Sequence, residues 1–195
     1  MWLNFDASPT LRISRVPVLG FLVKGSLNAA FPENVRFGDI VKGLPVKENS
    51  CTGVYCSHVL EHLSLNDFRI ALKNTFKILL PGGIFRLVMP DLAEMGKSYL
   101  EAKKKSEADA AIRFMKNSGL ALESRQKGMK AMIESSFGNA RHQWLWDYES
   151  AEMELKNAGF KDIRRCSFGD CKDEMFQYVE AEDRFRSALA IEARK

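Results

Sequence analysis

The run Ile84-Phe85-Arg86-Leu87-Val88-Met89 constrains this chain more than any other feature. Five of its six residues are apolar, with no polar alternation, and Pro81-Gly82-Gly83 stands immediately before it. A near-continuous apolar run of this length suits a strand buried on both faces of a parallel sheet. Parallel strands need a crossover, usually a helix, and the preceding residues supply one. Ser64 and Asp67 make a capping box, and Phe68, Leu72, Thr75, Phe76 and Leu79 follow on one face at helical spacing. Pro81-Gly82-Gly83 is the expected stop of that helix.

The same alternation extends along the chain. Trp2 to Phe5 reads as a short strand closed by the turn-rich Asp6-Ala7-Ser8-Pro9. Val35 to Phe37 reads as a second strand, closed by Gly38-Asp39, and Gly53 to Ser57 as a third. Asp147 can cap a helix carrying Tyr148, Ala151, Leu155 and Ala158, which Gly159 ends. Phe160 to Arg164 and Ala188 to Ile191 read as two closing strands. Strands alternating with helices imply an α/β chain of βαβ type. Length agrees: 195 residues fit one domain, 1–195, with a helical insertion at about 92–140.

Composition narrows the class further. Apolar residues make up 46% and charged residues 28%, which excludes wholesale disorder, a collagen-like fibre and a small disulfide scaffold. No apolar run reaches the roughly 18 residues that span a bilayer. The run Val16 to Val23 contains Pro17 and Gly20, and Asp6 and Lys24 fit a signal peptide poorly. Cys51, Cys56, Cys166 and Cys171 read as reduced, partly buried thiols, which points to a cytoplasmic protein. Two such pairs could in principle also hold zinc. Net charge is +4, too mild to indicate nucleic acid. The charge is concentrated: residues 97–130 carry nine Lys or Arg against four Asp or Glu, so they are +5 and the remainder is −1. A solvated helical face and a basic lid over an anionic ligand both accommodate this excess.

In open α/β sheets, ligands sit beyond the carboxyl ends of the strands. That rule selects Asp6, Gly38-Asp39, Ser57-His58 and Met89-Pro90-Asp91. An acid at the end of the first strand can accept both hydroxyls of a ribose, or it can simply start a turn with Ser8-Pro9. Asp39 carries the same pair of readings, with an adenine amino group as its ligand. Ser57-His58-Val59-Leu60-Glu61-His62 holds two of the three histidines. His58 to His62 matches the H-x-x-E-H pattern of inverted zinc peptidases. The confirming context is missing, because the motif comes straight off a strand and Ser64 restarts the chain as a helix cap. The alternatives are His58 facing a ligand at the strand tip, or both histidines bonding neighbouring backbone. The third histidine lies in Arg141-His142-Gln143-Trp144-Leu145-Trp146-Asp147-Tyr148. These aromatics can form a wall for a sugar or nucleobase, or an anchor onto the sheet.

Taken together, these segments resemble class I S-adenosylmethionine-dependent methyltransferases, most closely the small bacterial methyltransferase type 11 family. The resemblance rests on Trp2 to Asp6, Gly38 to Pro45, Ser57 to Leu63, Leu79 to Leu92, His142 to Tyr148 and Ala158-Gly159-Phe160. It implies a Rossmann-like three-layer α/β/α sandwich and S-adenosylmethionine as cofactor. It implies that Asp6 holds the ribose hydroxyls, that Gly38, Asp39 and Ile40 frame the adenine, and that Ser57 and His58 line the methyl-transfer pocket. His142 and the basic insertion would face the acceptor, a small molecule of which an anionic sugar or polysaccharide precursor is the family-level expectation. If that acceptor is a hydroxyl, His58 and His142 are the candidate bases, so both enter as catalytic residues.

One departure from the family pattern stands out. The family begins with a strand and a glycine-rich loop around the methionine end of the cofactor, whereas this chain begins at the segment after them. Three expectations follow. The natural protein starts upstream; or the first segment slides into the vacant mid-sheet place; or a second copy pairs the two exposed strand edges in a homodimer. Two other functions stay open: a catalytically degenerate scaffold that keeps only the fold, and a zinc hydrolase on His58, Glu61 and His62. No metal, nucleic acid or membrane span is expected of the leading reading.

Overall fold

The computed structural model describes residues 1–8, 11, 32–122 and 141–195. Its strands are β1 (Asn4–Asp6), β2 (Val35–Phe37), β3 (Cys51–Ser57), β4 (Leu79–Pro90), β5 (Lys161–Arg165) and β6 (Ala188–Arg194). Its helices are α1 (Leu65–Ile78), α2 (Leu92–Lys104), α3 (Ala110–Asn117) and α4 (Tyr148–Asn157). The described residues up to Pro45 form one compact unit, and 46–122 with 141–195 form another.

The first unit holds a two-stranded parallel sheet, with Asn4, Phe5 and Asp6 in register with Val35, Arg36 and Phe37. The second holds a four-stranded sheet in the order β3-β4-β6-β5. Its β3-α1-β4 segment is the expected parallel βαβ unit. β6 then inserts between β4 and β5 and runs antiparallel to both, so this sheet is mixed and not uniformly parallel. β1 pairs with β2 in the smaller unit's own sheet. Among the described residues β3 is an edge strand.

The apolar run behaves as its composition demands. Every residue from Ile84 to Pro90 is buried, including Arg86. α1 starts at Ser64, whose Oγ accepts the Asp67 N–H at 3.2 Å. It ends at Ile78, three residues before Pro81-Gly82-Gly83. Leu79 already pairs with Cys51 of β3, so sheet pairing claims it, and the Pro-Gly-Gly segment lies within β4. There Gly82 takes a φ of +78°, which favours glycine, and donates its N–H to the Lys195 carbonyl at 2.9 Å.

α1 and α4 pack on one face of the sheet. Phe160 sits between the Phe76 and Phe85 rings, at 5.2 and 5.5 Å between centroids, and Arg69 forms an ion pair with the buried Glu154. Phe68, Ala71, Leu72 and Leu155 complete this core. Each of these Phe and Leu side chains contributes on the order of 1.5–3 kcal/mol on burial. Alternation along β4 sends Arg86 to the other face. There its guanidinium is held by Glu180 and by Glu192 (2.9 Å), Asp170 (3.0 Å) and the Ser167 carbonyl (3.1 Å), beneath the Phe176 ring. No helix among the described residues is long and apolar enough to cross a membrane.

Candidate functional site

In the smaller unit, Asp6 ends β1 and is half-buried. Its Oδ1 accepts the Ser8 N–H at 2.6 Å, so it does start the turn. Its Oδ2 makes no hydrogen bond among the described residues, which leaves acceptor capacity at a strand's carboxyl end. The neighbouring strand end is tied to it, since Gly38 donates its N–H to the Asp6 carbonyl at 3.1 Å. A Cβ on Gly38 would lie 2.6 Å from Phe5 Cδ1 and 2.9 Å from a Leu44 methyl, so packing within this unit already requires the glycine. Asp39 Oδ1 accepts the Val41 and Lys42 N–H groups, and Oδ2 faces the Lys42 ammonium at 3.4 Å. Asp39 is therefore engaged as a turn cap, and Ile40 lies within that turn.

In the larger unit, Ser57 ends β3, and its Oγ is buried on the same face as the Tyr55 hydroxyl. Neither makes a hydrogen bond of ordinary geometry. His58 leaves the strand at a φ of +52°, uncommon for a residue with a Cβ. Its Nε2–H donates to the Arg184 carbonyl at 2.9 Å, and its Nδ1 lies 3.3 Å from Glu61 Oε1. The Glu61 carboxylate raises the His58 pKa above the ordinary histidine value against the opposing effect of burial. Both ring nitrogens are thus engaged. Asp91, at the end of β4, caps α2 through the Ala93 and Glu94 N–H groups and pairs with Arg165 at 3.4 Å.

The segment after β3 is a single 3-10 turn, Leu60–His62, and not the long helix that a zinc peptidase pattern needs. It folds against residues 141–144. The Glu61 carbonyl accepts the Gln143 and Trp144 N–H groups, and the Gln143 amide donates to the His62 carbonyl. His62 and His142 are thereby brought to 4.9 Å between ring centroids. Glu61, 1% exposed, aims its carboxylate between them. In the sequence Glu61 enters only through the H-x-x-E-H pattern, and its place between two histidines is the one signal there for its role. His142 depends on Gly119, which has a φ of +68°, because a Cβ there would collide with the imidazole.

Trp146 is an anchor: it is 2% exposed and stacks on Phe68 at 4.1 Å. Trp144 is 42% exposed and tilts against Trp146 at 6.0 Å between centroids. Lys97, Lys103, Lys104 and Lys105 are all exposed, as a solvated face requires, and α2 buries no residue. The basic residues at 125, 127 and 130 lie outside the described residues. All four cysteines are free thiols.

Residues 23–87, about a third of the chain, match the family model described as a methyltransferase domain. Comparison with curated proteins gives no match. Among solved structures, a SAM-dependent methyltransferase from Archaeoglobus fulgidus is 14% identical, with 98% of this chain aligned to 74% of that one at a TM-score of 0.46. An S-adenosylmethionine-dependent methyltransferase from Mesorhizobium loti is 14% identical, with 98% aligned to 78% at 0.48. The segment 23–87 is thus similar to a methyltransferase domain, and it takes in most of the βαβ unit that leads to the buried strand β4.

Proposed function

We propose that the chain transfers a methyl group from S-adenosylmethionine to a small-molecule acceptor. The observation that carries this reading is the acid Asp6 at the carboxyl end of β1, whose Oδ2 makes no hydrogen bond among the described residues. On this reading Asp6 would accept the ribose hydroxyls and Gly38, Asp39 and Ile40 would border the adenine, while Ser57 and His58 are the residues the family resemblance assigns to the methyl-transfer pocket. When bound, the cofactor supplies an activated methyl on a sulfonium. The protein's part is then to position the acceptor and exclude water. His58, His142 and the half-exposed Trp144 are the acceptor-side residues of this reading, and a sugar ring suits a partly open indole face.

The test is calorimetric titration with S-adenosylhomocysteine, followed by transfer of labelled methyl to a panel of neutral and anionic sugars. Binding at one site per chain that Asp6→Ala weakens by about tenfold, roughly 1.4 kcal/mol, supports the reading. Folded protein that binds neither cofactor nor product overturns it and favours a scaffold that keeps only the fold. His58→Gln and His142→Gln should lower turnover more than cofactor affinity; equal losses in both would remove them from the acceptor side.

A further inference from the structure

Glu61, His62 and His142 converge with no hydrogen-bond donor among them. Each histidine uses Nδ1 elsewhere: His62 Nδ1 lies 3.0 Å from the Arg141 carbonyl, and His142 Nδ1 lies 2.7 Å from the Ser118 carbonyl. A carbonyl only accepts, so both Nδ1 atoms carry the proton, and in the neutral rings both Nε2 atoms present lone pairs. These lone pairs face Glu61 Oε1 at 4.0 Å for His62 and 3.9 Å for His142. Those separations are too long for hydrogen bonds. Both Glu61 oxygens are buried; the one polar side-chain group near hydrogen-bond distance is His58 Nδ1, 3.3 Å from Oε1, and Oε2 has no partner. A buried carboxylate so thinly supported favours a cation beside it.

We infer that Glu61 Oε1, His62 Nε2 and His142 Nε2 form a binding site for one divalent transition-metal ion, with zinc as the preferred occupant. The three ligand atoms lie within 4.8 Å of one another, a spread that one ion bonded at roughly 2.0–2.2 Å to each can close with small side-chain adjustment. Two imidazoles and one carboxylate suit zinc, cobalt or nickel and disfavour magnesium or calcium. The supporting contacts are of the kind metal-bound histidines need, since each ring's other N–H is fixed on a backbone carbonyl. The rings are about one-fifth exposed, so an ion can enter, and a fourth position is left for water or an acceptor oxygen. This ligand set differs from the H-x-x-E-H pattern, because His58 is turned to the Arg184 carbonyl and His142 takes its place. The ion would tie residues 141–143 to the turn that follows β3. The inference does not depend on methyl transfer.

The full chain, reduced and stripped with a chelator, is titrated with cobalt(II) at pH 7.5 and followed by visible absorption. One equivalent should bind with weak ligand-field bands and without the intense near-ultraviolet band of a cobalt–thiolate bond. Zinc should compete for the same equivalent and raise Tm. His62→Gln and His142→Gln should each weaken binding by more than about tenfold. If either variant fails to fold, Glu61→Gln, which keeps the shape and removes the charge, decides by losing the zinc-dependent rise in Tm. Folded wild-type protein that takes up no metal overturns the inference. So does a thiolate band, or binding undiminished in the histidine variants. Adenosylhomocysteine binding is read separately, so this site and the cofactor reading fail independently.

Discussion

Arg86 of β4 and Glu192 of β6 are register partners in the antiparallel ladder, and their side chains meet at 2.9 Å on a face closed to solvent. Arg86 is fully buried and Glu192 is 5% exposed. The pair sits inside a larger group, because Glu180, Asp170 and the Ser167 carbonyl bond the same guanidinium. One cation thereby gathers residues 167–180 onto the sheet face opposite α1 and α4.

Removing that cation strands buried carboxylates. Arg86→Met should destabilise the protein by about 3–5 kcal/mol, mostly through the uncompensated Glu180 and through Glu192, which is then left with Arg164 alone. Chemical denaturation measures it. Adding Glu180→Gln and Glu192→Gln to Arg86→Met should recover part of the loss, since fewer buried charges are then left unpaired. A loss below about 1 kcal/mol for Arg86→Met would show that the group contributes no more than an exposed ion pair.

The same group makes stability depend on pH. Burial alone would raise the Glu192 carboxyl; hydrogen bonds from Cys171 and Arg86 and the charge of Arg164 outweigh it and hold its pKa below the ordinary 4.5. Asp170 is lowered too, its burial outweighed by bonds from Arg164, Ser167 and Arg86. A carboxylate whose folded pKa is depressed stabilises fully above its unfolded value and loses that contribution as pH falls through the folded one. Tm should therefore hold near neutrality and fall steeply below about pH 4.5. Glu192→Gln should start lower at pH 7 and fall less steeply. Parallel curves for the two proteins would exclude Glu192 from the acid transition.

Thiol reactivity follows burial. Desolvation pushes Cys56 up to about 12, and burial, more than Arg86 can offset, also pushes Cys166 up to about 12, from an ordinary 9.0. At a fixed mildly alkaline pH the thiolate fraction of each falls about a thousandfold, and only the thiolate attacks an alkylating agent. Pulse labelling with iodoacetamide, read by peptide mass, should leave Cys56 and Cys166 unmodified in native protein and label both after denaturation. Labelling of native Cys56 at the denatured rate would mean that β3 opens readily.

Much of this molecule was legible from short-range signals. The Ser64 and Asp147 caps, the Gly159 stop with its φ of +103°, and the six strands lie where residue type alone predicts, to within a few positions. Such features depend on neighbours a turn or two away, so local composition determines them. Where local signals competed with pairing, pairing won: Leu79 left the helix face because β3 claimed it. The insertion of an antiparallel β6 between β4 and β5 has no local signature, because it depends on which long-range partner buries the most surface. The same holds for the metal-ligand cluster. His62 and His142 are 80 positions apart, and nothing in either segment marks the other. Only the packing of the Leu60–His62 turn against residues 141–144 turns Glu61 inward and sets both imidazoles around it. The sequence alone determined which residues carry polar chemistry at the strand ends; the tertiary structure alone decided which of them meet, because convergence is a property of long-range packing.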